Sequence, residues 1–270
     1  MKLGNPTKGR LEQGTIFSCC AVDGYPRSMG WGVVITARCD LANFKAPILN
    51  YLPIVKLEDW LTNDGLGVIQ SRCIAEADAE VEKLLFDLGA PKTVLLGTPV
   101  ETALETLVAL LDEKKQRQFI ARKDKVVGKW REAHSGTAES LRTTFPKTYS
   151  GAVRELMTHR LSGYYYLCRM EPDESDSCYV VLLRQIGAMP HDLAGALPEG
   201  MRKVDAEARS PRYESFFRYS SSDDVAIPLG VIPSPHVEHL LQAFSLLFGR
   251  IGLPNTDPAH IDRFANPEVQ

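Results

Sequence analysis

The chain has 270 residues, with 31 Lys and Arg against 34 Asp and Glu and a hydrophobic fraction of 44%. This length allows one large or two small domains with a substantial core, and the composition excludes disordered, collagen-like and purely coiled-coil proteins. The net charge of −3 argues against a uniform coat of nucleic acid, although it leaves room for a local basic patch.

The sequence predicts a soluble, cytoplasmic protein without a membrane partner. Residues 1–14 contain no apolar segment that could serve as a signal peptide. The apolar runs at 31–37 and 104–111 are far shorter than the ~20 residues that span a bilayer. The six cysteines include no CxxC pair, so we expect reduced thiols, and no motif indicates a cofactor or a metal site.

Residues 1–74 read as β structure. Strands are predicted over residues 15–22, 31–36 and 51–57, because these runs are rich in apolar and β-branched side chains. Pro53 suggests that the third strand lies at an edge or carries a bulge. The polar residues 62–65 are expected to break the chain after it.

Residues 75–162 change to helical patterning. A first helix is predicted over 75–88, and a second begins near Thr98 and extends to about Ala133, with a break expected in its last third. The Ser/Thr-rich residues 135–149 are predicted to be a loop. A short helix is then expected over 152–161, ended by Gly163.

Residues 163–256 return to β structure and end in a helix. The runs 164–170 and 179–186 predict a hairpin around the acidic turn 171–176. Residues 190–211 are expected to be irregular, and 216–219 to form one more strand. Ser234 and Pro235 start an amphipathic helix whose apolar stripe continues to Ile251. Residues 257–270 are read as a loosely ordered tail.

The β segments resemble those of MazF/PemK-type toxins, which have a small SH3-like barrel. The matching stretches are Gly14-Thr-Ile16, Gly32-Val-Val-Ile-Thr36, Leu52-Pro-Ile-Val55 and Leu182-Leu-Arg-Gln-Ile186. The resemblance implies an α+β fold with an SH3-like barrel formed by 1–74 and 163–256. A helical insertion at 75–162 interrupts this barrel, and a C-terminal amphipathic helix packs beside it.

The chain departs from the toxin family at the residues that serve its ribonuclease chemistry. A loop arginine is present as Arg27, but Val55 stands where the family has a hydroxyl side chain. Valine cannot hydrogen-bond a phosphate or a 2′-hydroxyl, so the resemblance implies the barrel without this nuclease site. Residues 35–41 and 234–240 also resemble uncharacterised bacterial proteins encoded near defence and toxin loci, which implies a setting and no reaction.

Two short motifs are candidates for chemistry. Thr36, Arg38, Cys39 and Asp40 follow a buried strand, and Arg38 could activate the Cys39 thiol or bind phosphate. Alternatively, Asp40 caps the next turn and Cys39 packs in the core. His236 and His239 share a helix face at metal-ligand spacing, but no third ligand is evident and Glu238 also suits the helix dipole.

Residues 113–132 form the most basic segment of the chain. Eight basic against three acidic residues give it a net +5, so the remaining chain carries −8. Aromatic side chains interleave these charges, which is typical of nucleic-acid binding, although a solvated face or an acidic protein partner fits equally well. The candidate contacts are Lys114, Lys115, Arg117, Arg122, Lys123, Lys125, Lys129, Trp130 and Arg131.

Three functions remain open at this point, and whether the protein is an enzyme is one of the open questions. The first is a non-catalytic component of a bacterial antiphage-defence or toxin-type system, which binds RNA, DNA or a protein through residues 113–132. The second is a metal-independent, MazF-like endoribonuclease that uses Arg27, Thr36, Arg38, Cys39, Asp40 and His239. The third is a structural subunit that assembles into an oligomer through the helical insertion.

Overall fold

The structure is a computed structural model, and it describes residues 2–42, 47–168, 170 and 177–249. Seven strands in these ranges form one curled antiparallel sheet, a half-barrel, in the order β4-β5-β3-β2-β1-β9, with β6 also paired to β3. A second, two-stranded sheet pairs β7 with β8. The strands are β1 Thr15–Phe17, β2 Trp31–Val34, β3 Ile48–Lys56, β4 Tyr164–Cys168, β5 Cys178–Leu182, β6 Gly187–Pro190, β7 Met201–Arg202, β8 Val225–Ala226 and β9 Pro228–Val231.

Alternation along the strands divides the large sheet into two buried faces. On β3, Leu52 and Ile54 point to one core, whereas Tyr51 and Val55 point to the other. On β4, Tyr165 and Leu167 lie on the first of these faces, and the flanking residues of the strand lie on the second. Because side chains alternate with a period of two, each of the strands β1 to β5 contributes to both cores.

Ten α-helices lie in the described ranges. Six of them, α2 to α7, separate β3 from β4 in the chain and have their own apolar core. In this core Ile69, Cys73 and Ala77, four residues apart along α3, pack on α6 and α7. The helices are α1 Arg38–Ala42, α2 Leu57–Thr62, α3 Asp64–Asp87, α4 Val100–Ala109, α5 Glu113–Ser135, α6 Ala138–Thr144, α7 Pro146–Met157, α8 His191–Ala196, α9 Lys203–Arg209 and α10 His236–Phe248.

The C-terminal helix α10 covers one face of the large sheet. Val237 and Leu240 are fully buried against Ile16, Trp31 and the other residues of that face. The predicted amphipathic helix is therefore confirmed over 236–248, while Ile251 and the tail at 257–270 lie outside the described residues. Its first turn stands at the edge of the core, which positions the side chains of that turn near the hairpin of β4 and β5.

The α+β class and the antiparallel pairing of β4 with β5 are confirmed, while the predicted turn at 171–176 lies outside the described residues. Several predicted boundaries are wrong. The long helix expected from Thr98 breaks at 110–112, where Asp112 caps α5, instead of in its last third. The expected loop at 135–149 contains α6 and the start of α7, and the irregular stretch 190–211 contains α8 and α9. Pro53 is in the interior of the sheet, at the gap between the β5 and β6 pairings of β3.

Two smaller expectations are also corrected. The first long helix, α3, begins at Asp64 and not at residue 75, so the polar residues 62–65 do not separate it from the sheet by a loop. Residues 216–219 contribute a single bridge, between Phe217 and Cys20, and no strand. Across the described ranges, none of the helices combines the length and the apolar character that crossing a bilayer requires.

Candidate functional site

The C-terminus of α7 places a histidine in a backbone conformation that normally belongs to glycine. The Arg160 N–H donates to the Glu155 carbonyl at 2.8 Å, and the His159 N–H donates to the Leu156 carbonyl at 3.0 Å. This pair of bonds defines a Schellman motif, in which the residue after the C-cap is left-handed. Here that residue is His159, with φ 57°. A left-handed conformation costs a non-glycine residue about 1–2 kcal/mol, so this position is strained.

The strained residue meets a tyrosine and a second histidine. The His159 ring stacks on Tyr165 of β4 at a centroid distance of 4.1 Å and meets His239 of α10 edge-on at 5.1 Å. The Tyr165 hydroxyl lies 2.9 Å from Nδ1 of His239. The end of α7, the following strand β4 and the distant helix α10 therefore converge on one cluster, which we call the His159–Tyr165–His239 triad.

The triad borders a cavity of about 300 Å³. His159, Arg160, Gly163 and His239 line it together with apolar side chains of α10. Gly163 has φ +94°, and a Cβ at this position would lie 2.7 Å from Nε of Arg184. Arg184 therefore lies against Gly163, while Arg160 is the arginine that lines the cavity. Such surroundings favour an anionic ligand.

Electrostatics distinguish the two histidines. Burial lowers the pKa of His159, and the nearby His239 and His236 lower it further, so this ring is neutral at pH 7. Its Nδ1 atom is buried and has no hydrogen-bond partner in the part of the chain that the structure describes. His239 is exposed, and its Nδ1 is held by the Tyr165 hydroxyl. A buried nitrogen without a partner calls for an explanation, and a ligand provides one.

The predicted cluster at the end of β2 lies at a different cavity. This second cavity has a volume of about 310 Å³ and is lined by Arg38, Asp40 and residues 9–13, among others. Thr36 is buried, and its hydroxyl accepts from the Asn50 N–H at 2.7 Å, which gives it a structural role at the end of the strand. The exposed Cys39 has its Sγ 3.6 Å from an Asp40 carboxylate oxygen.

Arg38 links the end of β2 to the start of α10. It pairs with Glu238 at 3.2 Å, although both side chains are largely exposed. Glu238 and His239 are neighbours in sequence, but Glu238 pairs with Arg38 whereas His239 lines the triad cavity, because successive helix residues are rotated by about 100°. Arg27 lies in an exposed turn at the opposite end of β2. The structure thus gathers residues 36–40 in one place and leaves Arg27 and His239 outside it.

Much of the predicted basic segment is engaged by acidic residues of neighbouring helices. Lys129 pairs with Glu80 at 2.6 Å and Arg122 with Asp87 at 2.6 Å, both on α3. Arg131 pairs with Glu101 of α4. These contacts place α5 along the acidic α3, so a large part of the charge separation read from the sequence is neutralised within the fold. Further pairs join Lys115 to Asp112, Lys123 to Asp124, and the Trp130 indole N–H to Asp78.

Three cations of this segment stay exposed. Lys114, Arg117 and Lys125 form no ion pair within 4.0 Å in the described ranges. They stand on the solvent side of α5, whose other side packs through the buried Val126 and Val127. Only this part of the predicted nucleic-acid surface therefore presents charge that is not already paired.

The sequence singled out His239 but not His159 or Tyr165. His159 was read as an interior residue of a short helix that Gly163 would end, so nothing marked its left-handed conformation. Strand alternation places Tyr165 on the face opposite its neighbours, but its partner His239 on α10 is visible only in the structure. No group of three or more His, Cys, Asp or Glu side chains in the described ranges is placed to hold a metal ion.

Comparison of the chain with models of known protein families, with curated proteins and with solved structures finds no match.

Proposed function

We propose that the protein is an endoribonuclease that cleaves RNA by acid–base chemistry at the His159–Tyr165–His239 triad. The observation that carries this proposal is the pairing of two histidines at a cavity that Arg160 also lines, with His159 held in a strained conformation. Imidazoles are the usual acid–base groups at neutral pH, and strained, desolvated residues concentrate at functional sites. The guanidinium group of Arg160 suits a phosphodiester.

The two histidines take different roles in the reaction because their surroundings differ. His159 is neutral at pH 7 and accepts the proton of a ribose 2′-hydroxyl, whose oxygen then attacks the adjacent phosphorus. His239 is the general acid of this proposal and donates a proton to the departing 5′-oxygen. The P–O5′ bond breaks as the P–O2′ bond forms, so the products are a 2′,3′-cyclic phosphate and a 5′-hydroxyl. The paired transfers contribute about 100- to 10,000-fold each in such sites.

The neighbouring residues support this division. Tyr165 positions the His239 ring through the 2.9 Å contact to Nδ1, which leaves Nε2 to face the substrate. Arg160 binds the phosphate, because the nearby carboxylate of Glu155 is held by Arg72 at 2.6 Å. Tyr165 thus fixes the geometry of His239 at the phosphate. Arg160 supplies positive charge there, where the negative charge that develops during the reaction requires stabilisation.

The test is cleavage of a fluorescently labelled single-stranded RNA by the full chain in the presence of a chelator. We expect cleavage with 2′,3′-cyclic phosphate ends, and a loss of about 100-fold or more in His159→Asn and in His239→Asn. Asparagine tolerates a left-handed backbone, so the first variant keeps the local fold. A chain that does not cleave RNA, or that cleaves equally well in both variants, contradicts the proposal.

A matched control uses a histidine outside the cavity. His134 ends α5, is exposed and packs against Trp130 at a centroid distance of 4.1 Å. The variant His134→Asn should cleave RNA as the wild type does. Cleavage that stays unchanged in all three variants would indicate a contaminating nuclease, and cleavage that falls equally in all three would indicate a general loss of structure. Either outcome contradicts a specific role for the triad.

The exposed cations of α5 fit the same substrate. We assign Lys114, Arg117 and Lys125 to contacts with the RNA backbone, which need charge but no base recognition. The setting that we propose is a bacterial defence or toxin-type system, with the curled sheet as an SH3-like barrel of the MazF/PemK kind. The catalytic residues would then differ from those of the toxin family, in agreement with Val55 at the family's hydroxyl position.

A further inference from the structure

Two cysteines face each other across the hairpin of β4 and β5. The antiparallel register pairs Tyr166 with Val180, Leu167 with Tyr179 and Cys168 with Cys178. Directly opposed residues of antiparallel strands have their Cα atoms about 4.5 or 5.5 Å apart, depending on the type of pair. Both spacings fall inside the range of about 4.4–6.8 Å that a disulfide bridges. The backbone of the hairpin is therefore already set for a bond between these two sulfurs.

The side chains of this pair also share one face of the sheet. Residues 164, 166 and 168 alternate with Tyr165, so Cys168 and Cys178 project to the side opposite the triad. The Tyr166 hydroxyl lies 3.1 Å from Sγ of Cys178, which confirms that Cys178 points to the face of Tyr166. Both cysteines are thiols and are half-buried, so a small reagent can reach them.

We propose that Cys168 and Cys178 are a thiol-oxidation site that forms a cross-strand disulfide with a low-molecular-weight disulfide such as oxidised glutathione. One cysteine thiolate attacks the reagent and forms a mixed disulfide, with release of one glutathione thiolate. The second cysteine thiolate then displaces the other glutathione and closes the Cys168–Cys178 bond. Two protein thiols lose two electrons and two protons, and one glutathione disulfide becomes two glutathione thiols.

The other four cysteines offer no comparable pair. Cys19 and Cys20 are adjacent in sequence, Cys73 is buried within α3, and Cys39 is exposed on α1. Burial raises the pKa of both Cys20 and Cys73, which disfavours their thiolates. The register of β4 and β5 therefore makes the reaction selective for one pair. This inference is independent of the proposed ribonuclease activity, because the two sites lie on opposite faces of the sheet.

The sequence provides a direct assay. Trypsin cleaves after Arg169, between the two cysteines, and yields the peptides 161–169 and 170–184 with one cysteine each. We expect treatment of the folded chain with oxidised glutathione to lower the thiol count from six to four. Digestion without reduction should then yield the two peptides as one linked species, and a reducing agent should separate them.

Controls test the register itself. Cys39→Ser should keep the linked species, and Cys168→Ser should lose it. The same treatment of the chain unfolded in urea should give the linked species more slowly, since the strands no longer hold the pair together. The proposal is overturned if the folded wild type retains six thiols, if it stops at mixed disulfides with glutathione, or if the linked peptides involve other cysteines.

Discussion

Replacement of His159 by glycine and by alanine should reveal how much strain its left-handed backbone holds. Both substitutions remove the ring, so they lose the same contacts with Tyr165 and His239. The two variants then differ only in the free-energy cost of their backbone conformation. A left-handed conformation costs alanine about 1–2 kcal/mol, whereas glycine adopts it freely. Glycine also loses about 0.5–1 kcal/mol more conformational entropy on folding. The balance predicts that His159→Gly is about 0.5–1 kcal/mol more stable than His159→Ala.

Thr158 provides the matched control for this comparison. It precedes His159 and has φ −99°, a conformation that alanine adopts without strain. The order should therefore reverse there, with Thr158→Ala more stable than Thr158→Gly by about 0.5–1 kcal/mol. Urea denaturation of the four variants measures both differences. If His159→Ala is as stable as His159→Gly, the reasoning from the Schellman motif is refuted.

The same variants bear on why a histidine occupies this position. Contacts between the His159 ring and its aromatic neighbours contribute about 0.5–1.5 kcal/mol, but burial of a nitrogen without a partner costs about 1–3 kcal/mol. We therefore expect His159→Gly to be at least as stable as the wild type while it loses RNA cleavage. Such an exchange of stability for activity is typical of residues retained for function.

Three further predictions follow from the site. Tyr165→Phe keeps the ring that stacks on His159 but removes the hydroxyl that contacts His239. In steady-state cleavage assays kcat should therefore fall about tenfold while KM stays unchanged. An unchanged kcat would exclude a positioning role for Tyr165. Folding lowers the pKa of His159 below its ordinary value of 6.5, so the unfolded chain binds this proton more readily than the folded chain does. The wild type should therefore lose stability relative to His159→Asn as the pH falls below about 6.5. Parallel profiles of stability against pH for the two proteins would contradict this. Lys114, Arg117 and Lys125 are the exposed cations of α5, and reversal of their charge should weaken RNA binding. The slope of log binding constant against log salt concentration should become shallower by about one unit per residue, whereas Lys129→Gln should leave this slope unchanged.

Strands β1 to β5 were predictable because runs of apolar and β-branched residues mark strands that are buried on both faces, whereas β6 to β9 were not predicted. The helical region was less predictable because residues that look like breakers have other uses in it. A Cβ at position 65 would lie 2.5 Å from the Trp60 ring, so Gly65 permits the close contact of α2 with α3. Similarly, Thr137 caps α6 and Pro146 starts α7, so the polar residues at 135–149 mark the starts of two helices and do not form a loop.

The candidate site was less accessible to sequence reasoning than the fold. His239 stood out because it lies in the first turn of a strongly amphipathic helix. His159 did not, because a left-handed histidine depends on the two hydrogen bonds that end α7, and no local pattern encodes it. The basic segment illustrates the converse problem, since its charge is obvious in the sequence and its acidic partners on α3 are visible only after folding.

The central claim is that His159 and His239 act on one bound RNA, and histidine NMR tests it most directly. The full chain is titrated with a single-stranded RNA whose 2′-hydroxyls are methylated, so that binding occurs without cleavage. The account predicts that the imidazole resonances of His159 and His239 shift together with one affinity, while those of His134 stay in place. Binding that leaves both triad histidines unshifted, or the absence of binding, would contradict the account.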